Sequence, residues 1–252
     1  MTTELDVLAI GAHPDDIEIC CGGTVAKLTG LGHKVGILDL TEGELGTGGD
    51  VPTRYAESKR ASEILGLSAR ENLKLPDGGI DGNAPLETGS QLMRLIAAIR
   101  KYKPQLILAP YWLERHPDHV AASKLITRAV FFAGLKKIGD TEAHSPKNVS
   151  YFQMRVPFEA SYVVDVSAVY EKKLAAIKAY ASQFKASNKT LIASDQSFVA
   201  MEARDTLSGA QIGVSKGEAF LTLHSLAIED PVKLFTTSST SKGLFFPRWV
   251  QL

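Results

Sequence analysis

Two short apolar segments, each followed by a histidine–proline–aspartate tripeptide, constrain this chain more than any other feature. Residues 5–11 precede His13-Pro14-Asp15-Asp16, and residues 105–109 precede Arg115-His116-Pro117-Asp118-His119. Segments of this length and hydrophobicity are typical of buried parallel strands. The carboxyl ends of such strands form the ligand-binding edge of an open α/β sheet. If the two strands are neighbours, imidazoles and carboxylates from both motifs meet in one crevice.

The first half of the chain alternates between predicted strands and predicted helices. Strands are predicted over residues 5–11, 34–40, near Leu73 and over 105–109, and helices over 22–31, 53–65, 87–102 and 119–132. Four alternations predict an α/β fold with a Rossmann-like, doubly wound and mostly parallel sheet. Residues 41–52 hold four glycines, which predicts a mobile loop.

The pattern is less regular after about residue 135. Strands are predicted over residues 150–155, 161–166 and 218–223, and helices over 168–184 and 197–208. A length of 252 residues fits one domain, and no internal repeat or interdomain linker is visible. We therefore predict a single domain over residues 1–252, with a Rossmann-like core over about 1–135 and a C-terminal extension or cap over about 136–252.

Composition excludes several classes of function. The 28 basic residues balance the 28 acidic ones, so no global field attracts nucleic acid or an anionic membrane surface. No apolar run approaches the roughly 18 residues that a membrane span needs, and the polar start of the chain has no signal-peptide pattern. The two cysteines, Cys20 and Cys21, are adjacent, which disfavours a disulfide between them. These features predict a cytoplasmic protein with neither a nucleic-acid nor a membrane partner.

The residue types in the two motifs are those of a catalytic metal site. A catalytic zinc takes three protein ligands and leaves a fourth position open. His13, Asp16 and one histidine of the second motif supply that number. Asp15, between two of these residues, is the candidate general base. Asp118 either caps the following helix or orients a ligand histidine. Two imidazoles and a carboxylate also suit Fe(II) and other divalent ions.

Two alternatives compete with the metal site. A single His-Pro-Asp usually marks a turn, but two of them after apolar strands, in a chain with six histidines, are hard to attribute to chance. The glycines of residues 46–49 could cradle a phosphate before a helix, as in a Rossmann-type nucleotide-binding module with structural histidines. That segment lacks the Walker lysine and the Rossmann glycine spacing, so it is a weak signal.

The two motifs also resemble a known family, the PIG-L/LmbE-like zinc-dependent N-acetylglucosamine deacetylases. The similarity extends to further segments: Asp39-Leu40-Thr41-Glu42-Gly43-Glu44-Leu45, Leu75-Pro76-Asp77, Ala179-Tyr180-Ala181-Ser182-Gln183-Phe184 and Gly213-Val214-Ser215-Lys216-Gly217-Glu218-Ala219-Phe220. These segments are similar to the branch that deacetylates N-acetylglucosaminyl L-malate in bacillithiol biosynthesis. A deacetylase of another N-acetyl sugar, such as diacetylchitobiose, is the alternative.

The resemblance implies a role for each site residue. It implies Zn²⁺ ligands at His13, Asp16 and His119, and a general base at Asp15. It also implies that His116 stabilises the oxyanion or protonates the amine. Arg54 matches a substrate-binding position; read from the sequence alone, it is a surface arginine paired with Asp50 or Glu57. The family further implies a small-molecule N-acetylglucosaminide as the substrate and a homo-oligomer, a trimer or hexamer.

Overall fold

The computed structural model describes residues 4–184, 195–230 and 232–233 of the chain. Its strands are β1 Val7–Gly11, β2 Val35–Thr41, β3 Ala69–Leu75, β4 Leu106–Pro110, β5 Asn148–Phe152, β6 Tyr162–Asp165 and β7 Gly217–Thr222. Its helices are α1 Asp16–Gly30, α2 Val51–Leu65, α3 Gln91–Tyr102, α4 Pro117–Ala133, α5 Tyr170–Lys178 and α6 Asp195–Gln211, with a short 3₁₀ helix at Ser167–Val169.

The strands form one seven-stranded sheet in the order β3-β2-β1-β4-β5-β7-β6. Strand β1 pairs in parallel with β2 on one side and with β4 on the other, with Val7 opposite Leu106 and Ala9 opposite Leu108. All five residues of β1 are buried, as expected for a parallel strand that is covered on both faces. The predicted α/β fold with a mostly parallel sheet is confirmed. The two strands that carry the motifs are neighbours.

Helices cover both faces of the sheet. On one face, the apolar stripe of α3, which includes Leu92, Leu95 and Ile99, belongs to the same hydrophobic cluster as Leu125 and Ile126 of α4. On the other face, a second cluster combines buried residues of α1, α2 and α5 with the opposite side of the strands. This arrangement leaves the carboxyl edge of β1 and β4 for the loops that hold the motifs.

The strands after residue 135 continue the same sheet. Strand β5 pairs in parallel with β4, and β7 then pairs antiparallel with β5 and β6. The extension therefore adds three strands to the sheet, of which only β7 runs antiparallel to the others. Within the described residues, no helix is long and apolar enough to cross a membrane.

The first helix differs from the prediction. It begins at Asp16 rather than at residue 22, and it has a kink at Cys21, where φ is −142°. At the kink, backbone N–H groups of the helix bond to a side chain instead: Glu218 of β7 accepts hydrogen bonds from Gly23 (2.9 Å) and Thr24 (2.6 Å). A Cβ atom on Gly23 would lie 2.8 Å from the Cβ of Val166. This glycine therefore allows close packing inside the helix and does not start it.

Candidate metal centre and active site

The two histidine–proline–aspartate loops bring three metal-type side chains to one point. His119 Nε2 lies 3.3 Å from His13 Nδ1 and 3.3 Å from Asp16 Oδ1. His13 Nδ1 lies 3.7 Å from Asp16 Oδ2, which also accepts a 2.9 Å hydrogen bond from the His13 backbone N–H. The family resemblance implied these three residues as ligands, and their donor atoms lie within 4.8 Å of one another.

The spacing of the donor atoms fits a divalent ion. Ligand atoms bonded to one tetrahedral zinc at about 2.0–2.1 Å lie about 3.3–3.4 Å apart. The two shortest separations here are both 3.3 Å. Their side chains are 9–13% exposed, which leaves a path from solvent. Two imidazoles and one carboxylate suit zinc and also Fe(II), so the donor set does not choose between these ions.

Two carboxylates orient the first ligand. Asp77 Oδ1 lies 3.0 Å and Asp118 Oδ2 lies 3.3 Å from His13 Nε2. A carboxylate on one ring nitrogen fixes the tautomer and leaves the other nitrogen, Nδ1, for a metal. Although burial opposes protonation, hydrogen bonds with Asp118, Asp16 and Asp77 raise the pKa of His13 to about 12. The cluster therefore strongly favours positive charge at this position.

Asp77 is a site residue to which sequence reasoning gave no role. It follows the end of β3, as the two motifs follow β1 and β4. This position after a strand is the sequence signal that could have identified it. Its other oxygen, Oδ2, accepts a 2.9 Å hydrogen bond from the Leu45 backbone N–H. The pKa of Asp77 is lowered to about 2, chiefly by its hydrogen bond with His13. Asp77 thus links the metal centre to the loop after β2.

The structure selects between the two roles that the sequence predicts for Asp118. Helix α4 begins at Pro117, and its N-cap is His116, whose Nδ1 accepts a 3.2 Å hydrogen bond from the Asp118 backbone N–H. The Asp118 carboxylate faces His13 and accepts a 2.7 Å hydrogen bond from the Gly78 N–H. The capping option for Asp118 is therefore wrong, because its carboxylate orients a ligand histidine of the other motif.

The capping hydrogen bond determines which ring nitrogen of His116 carries the proton. Since Nδ1 accepts a hydrogen bond, the neutral ring carries its hydrogen on Nε2. Burial, and then the nearby rings of His119 and His13, lower the pKa of His116. His116 is therefore favoured as a neutral donor beside the ligand histidines, with ring centroids 4.9 Å from His13 and 4.7 Å from His119.

Asp15, the predicted base, is 4% exposed and sits at the start of α1. Its φ of 110° lies outside the regions that a non-glycine residue prefers, and such strain is typically retained at functional sites. Burial raises the pKa of Asp15 to about 7, against the opposing effect of Arg54. A carboxyl group with a pKa near neutrality is well matched to accepting and returning a proton.

Arg54 is buried at 6% exposure, so the expectation of a surface arginine is wrong. Its Nη2 donates to the Pro14 carbonyl and lies 3.4 Å from Asp15 Oδ2. Neither expected partner pairs with it: Asp50 caps α2 through Thr53, and Glu57 accepts hydrogen bonds from Ser182.

The glycine-rich segment encloses this arginine. A Cβ atom on Gly43, where φ is 68°, would lie 2.5 Å from Arg54 Nη1, and one on Gly46 would lie 3.0 Å from it. The Gly43 carbonyl accepts a 3.5 Å hydrogen bond from the same nitrogen. These glycines therefore make room for a buried guanidinium. The phosphate cradle of the nucleotide-binding alternative gains no support from this packing.

A pocket of about 560 Å³ opens beside the metal centre. Asp16 and His119 are among the residues that line it. The rest of the lining comes from α1, the β4–α4 loop, the β5–β6 connection, α5 with the segment after it, and α6, including Cys20, Phe158 and Phe198. Sequence reasoning did not find this pocket, because its walls come from segments far apart in the chain.

Comparisons with known proteins agree with this geometry. The sequence profile of the PIG-L family, described as GlcNAc-PI de-N-acetylase, matches residues 8–130. A diacetylchitobiose deacetylase of Thermococcus kodakarensis is 38% identical over 194 residues, which cover 71% of this chain and 70% of the relative.

Two solved structures share the fold. A conserved protein from Thermus thermophilus superposes with a TM-score of 0.81 at 36% identity, over 89% of this chain and 98% of that one. The N,N'-diacetylchitobiose deacetylase from Pyrococcus horikoshii gives a TM-score of 0.73 at 26% identity, over 86% of this chain and 83% of that one.

Proposed function

Because this chain belongs to the PIG-L family of de-N-acetylases, we propose that it removes the acetyl group from an N-acetylglucosamine-type substrate with one bound divalent ion. The observation that carries the proposal is the convergence of His13, Asp16 and His119 at donor spacings that fit a metal. The ion that we propose is Zn²⁺, with Fe(II) as the alternative that the same ligands accept.

Each side chain of the site has a task in amide hydrolysis. His13, Asp16 and His119 hold the ion, with His13 oriented by Asp77 and Asp118. The bound ion supplies Lewis-acid chemistry, which activates water and polarises the amide carbonyl. Asp15 accepts the proton of the attacking water. As the C–N bond breaks, the amine nitrogen takes up a proton, and Asp15 can return it.

His116 and Arg54 support these steps. The Nε2–H of His116 is the neutral donor for the oxygen that becomes negatively charged in the tetrahedral intermediate. Arg54, through its contacts with Asp15 and the Pro14 carbonyl, holds the base in place. A direct contact between Arg54 and substrate, as the family resemblance implies, would have to share the guanidinium with these partners.

Two aglycones are candidates for the natural substrate. We favour a diacetylchitobiose-like sugar, supported by the relative of that name at 38% identity. N-acetylglucosaminyl L-malate, the bacillithiol precursor, is the second candidate, supported by the sequence segments quoted above. Recognition of malate requires a cation that is free to bind a carboxylate, and Arg54 is already occupied by Asp15.

The test combines metal analysis with acetate release. We expect about one divalent ion per wild-type chain and a large loss of metal in His13→Ala, Asp16→Ala and His119→Ala. His33→Ala is the matched control, since that ring is 49% exposed and its ion pair is with Asp6. The metal-loaded wild type should release acetate from diacetylchitobiose more efficiently than from the malate glycoside. Wild-type metal content in all three ligand variants would contradict the ligand assignment, and acetate release from neither sugar nor from free N-acetylglucosamine would contradict the function.

A further inference from the structure

The pocket beside the metal centre runs along one face of α6. Ser197, Met201, Arg204, Ser208 and Gln211 line it at intervals of three or four residues, which is the spacing of one helical face. The candidate metal donors Asp16 and His119 also line it. A molecule whose amide sits at the metal centre can therefore extend a substituent into this space.

The walls of the pocket are mostly apolar. The large apolar side chains are Ile19, Met154, Phe158, Ile177, Phe184, Phe198, Met201 and Leu207. Phe184 and Phe198 contact each other with ring centroids 4.7 Å apart, and Met154 and Met201 are buried. Such surfaces recognise hydrocarbon, because removing apolar area from water is the favourable step.

Two charged residues on the walls are already engaged by the protein. Arg204 donates to the Ile19 carbonyl (2.7 Å) and to Asp205 Oδ1 (3.0 Å). Glu114 accepts hydrogen bonds from the backbone N–H groups of Arg115 (2.7 Å) and Arg155 (2.9 Å). Arg155 also lines the pocket but is exposed to solvent. These contacts fix both charged side chains within the protein, so they do not call for a charged ligand.

The size of the pocket exceeds what an acetyl group requires. A volume of about 560 Å³ is in the usual range of pockets that bury most of a drug-sized ligand. An acetyl group fills only a small part of that volume, and the sugar that carries it takes a further part. The remaining space suits a chain of several carbons or an aromatic ring attached close to the reacting amide.

We propose that this pocket is an apolar subsite beside the reacting sugar, so that an N-acetylglucosamine-type substrate with an aliphatic or aromatic group, as its aglycone or as a longer N-acyl chain, is hydrolysed more efficiently than the same sugar without that group. The inference rests on the proposed deacetylase function and deepens it. A second copy of the chain on the α6 face is the competing occupant, and the test below separates the two.

The first measurement compares matched sugars. N-acetylglucosamine is compared with its methyl, butyl and hexyl glycosides and with N-butanoyl- and N-hexanoylglucosamine, with kcat/KM followed through the released amine. Each methylene that becomes buried should raise kcat/KM by up to about fourfold. We expect at least a tenfold rise along one of the two series, which also tells whether the group is the aglycone or the acyl chain. A flat response in both series would overturn the proposal.

The second measurement uses two exposed residues of α6. Leu207 lines the pocket and is 67% exposed, whereas Val199 lies outside the lining and is 63% exposed. Leu207→Glu should remove most of the preference for the hexyl compound, and Val199→Glu should leave both the preference and the hydrolysis of N-acetylglucosamine unchanged. Equal effects of the two variants, or a change of oligomeric state in Leu207→Glu with an unchanged preference, would overturn the proposal.

A third measurement does not depend on turnover. Hexyl glucoside, which has no amide, should bind the wild type and bind Leu207→Glu at least tenfold more weakly, as followed by isothermal calorimetry. If no sugar amide is hydrolysed but hexyl glucoside still binds in this way, the proposed function fails while the apolar pocket stands. If hexyl glucoside does not bind, or binds both proteins equally, the pocket assignment fails.

Discussion

Two buried clusters of charged side chains lie beside α1, one at its N-terminus and one at its kink, and they differ in their charge balance. In the metal centre, the carboxylates of Asp15, Asp16, Asp77 and Asp118 surround two histidines, with Arg54 paired to Asp15. In the second cluster, Lys173 Nζ lies 2.6 Å from Asp205 and 2.7 Å from Glu218, and Arg204 lies 3.0 Å from Asp205.

The second cluster is balanced by the chain itself. It combines two cations with two anions, and Glu218 takes the backbone N–H groups that the kink of α1 exposes. The metal centre has an excess of carboxylates, which is the condition for binding an external cation. Buried charges thus serve two purposes in this fold. The cluster with an excess of carboxylates is suited to chemistry, whereas the cluster with balanced charges has a structural role.

The largest effect on chemistry is expected at Asp15. Asp15→Asn keeps the size of the side chain but cannot accept a proton, so turnover should fall by about 10²–10⁴-fold. Metal content should stay near the wild-type value, since no metal ligand is lost. Steady-state kinetics with metal analysis checks this, and near-normal turnover would place the base elsewhere.

A substitution in the charge-balanced cluster should change the stability of the protein rather than its turnover. Lys173→Met leaves Asp205 and Glu218 buried without their shared cation, which should reduce the free energy of unfolding by about 3–5 kcal/mol. Urea unfolding measures the loss. Adding Glu218→Gln should recover part of it, because Glu218 is the carboxylate left without a cation, whereas Asp205 still pairs with Arg204. A stable Lys173→Met protein that has lost its metal would reverse the roles assigned to the two clusters.

His116 should matter to the transition state. His116→Ala removes a donor aimed at the developing oxyanion, and kcat should fall by about 10²–10³-fold with metal content intact. The same change removes the cap of α4, so His116→Ser serves as the matched variant that restores a capping oxygen. Both variants should lose activity, and only His116→Ala should lose stability. A change confined to KM would indicate substrate binding instead.

The smallest effect is expected at Asp77, which acts through His13. Asp77→Asn should weaken metal affinity by about 10–100-fold, the usual range when an orienting carboxylate is lost. Asp81→Asn is the control, since Asp81 is exposed and accepts its hydrogen bond from the Asn83 backbone N–H. Competition with a metal chelator measures both. Equal affinities of the two variants would show that Asp118 alone orients the ring.

The sequence by itself determined the elements that lie close together along the chain. Apolar strands with polar loops behind them predicted the parallel sheet, and the two repeated motifs predicted that His13, Asp16 and one histidine of the second motif converge. The family resemblance selected His119. Both predictions depend on local patterns, since strand periodicity and the position of a loop after a strand can be read within about ten residues.

Only the tertiary structure decided the features that need distant segments. The burial of Arg54 depends on glycines of another loop, and the role of Asp118 depends on a histidine over a hundred residues away in sequence. The predicted start of α1 was wrong because the glycine at position 23 is explained by its contacts with Val166 and Glu218, and not by a helix terminus. The pocket is formed by α1, α5, α6 and the β5–β6 connection together. Each of these features depends on packing between segments that are distant in the sequence, so no local sequence pattern predicts it.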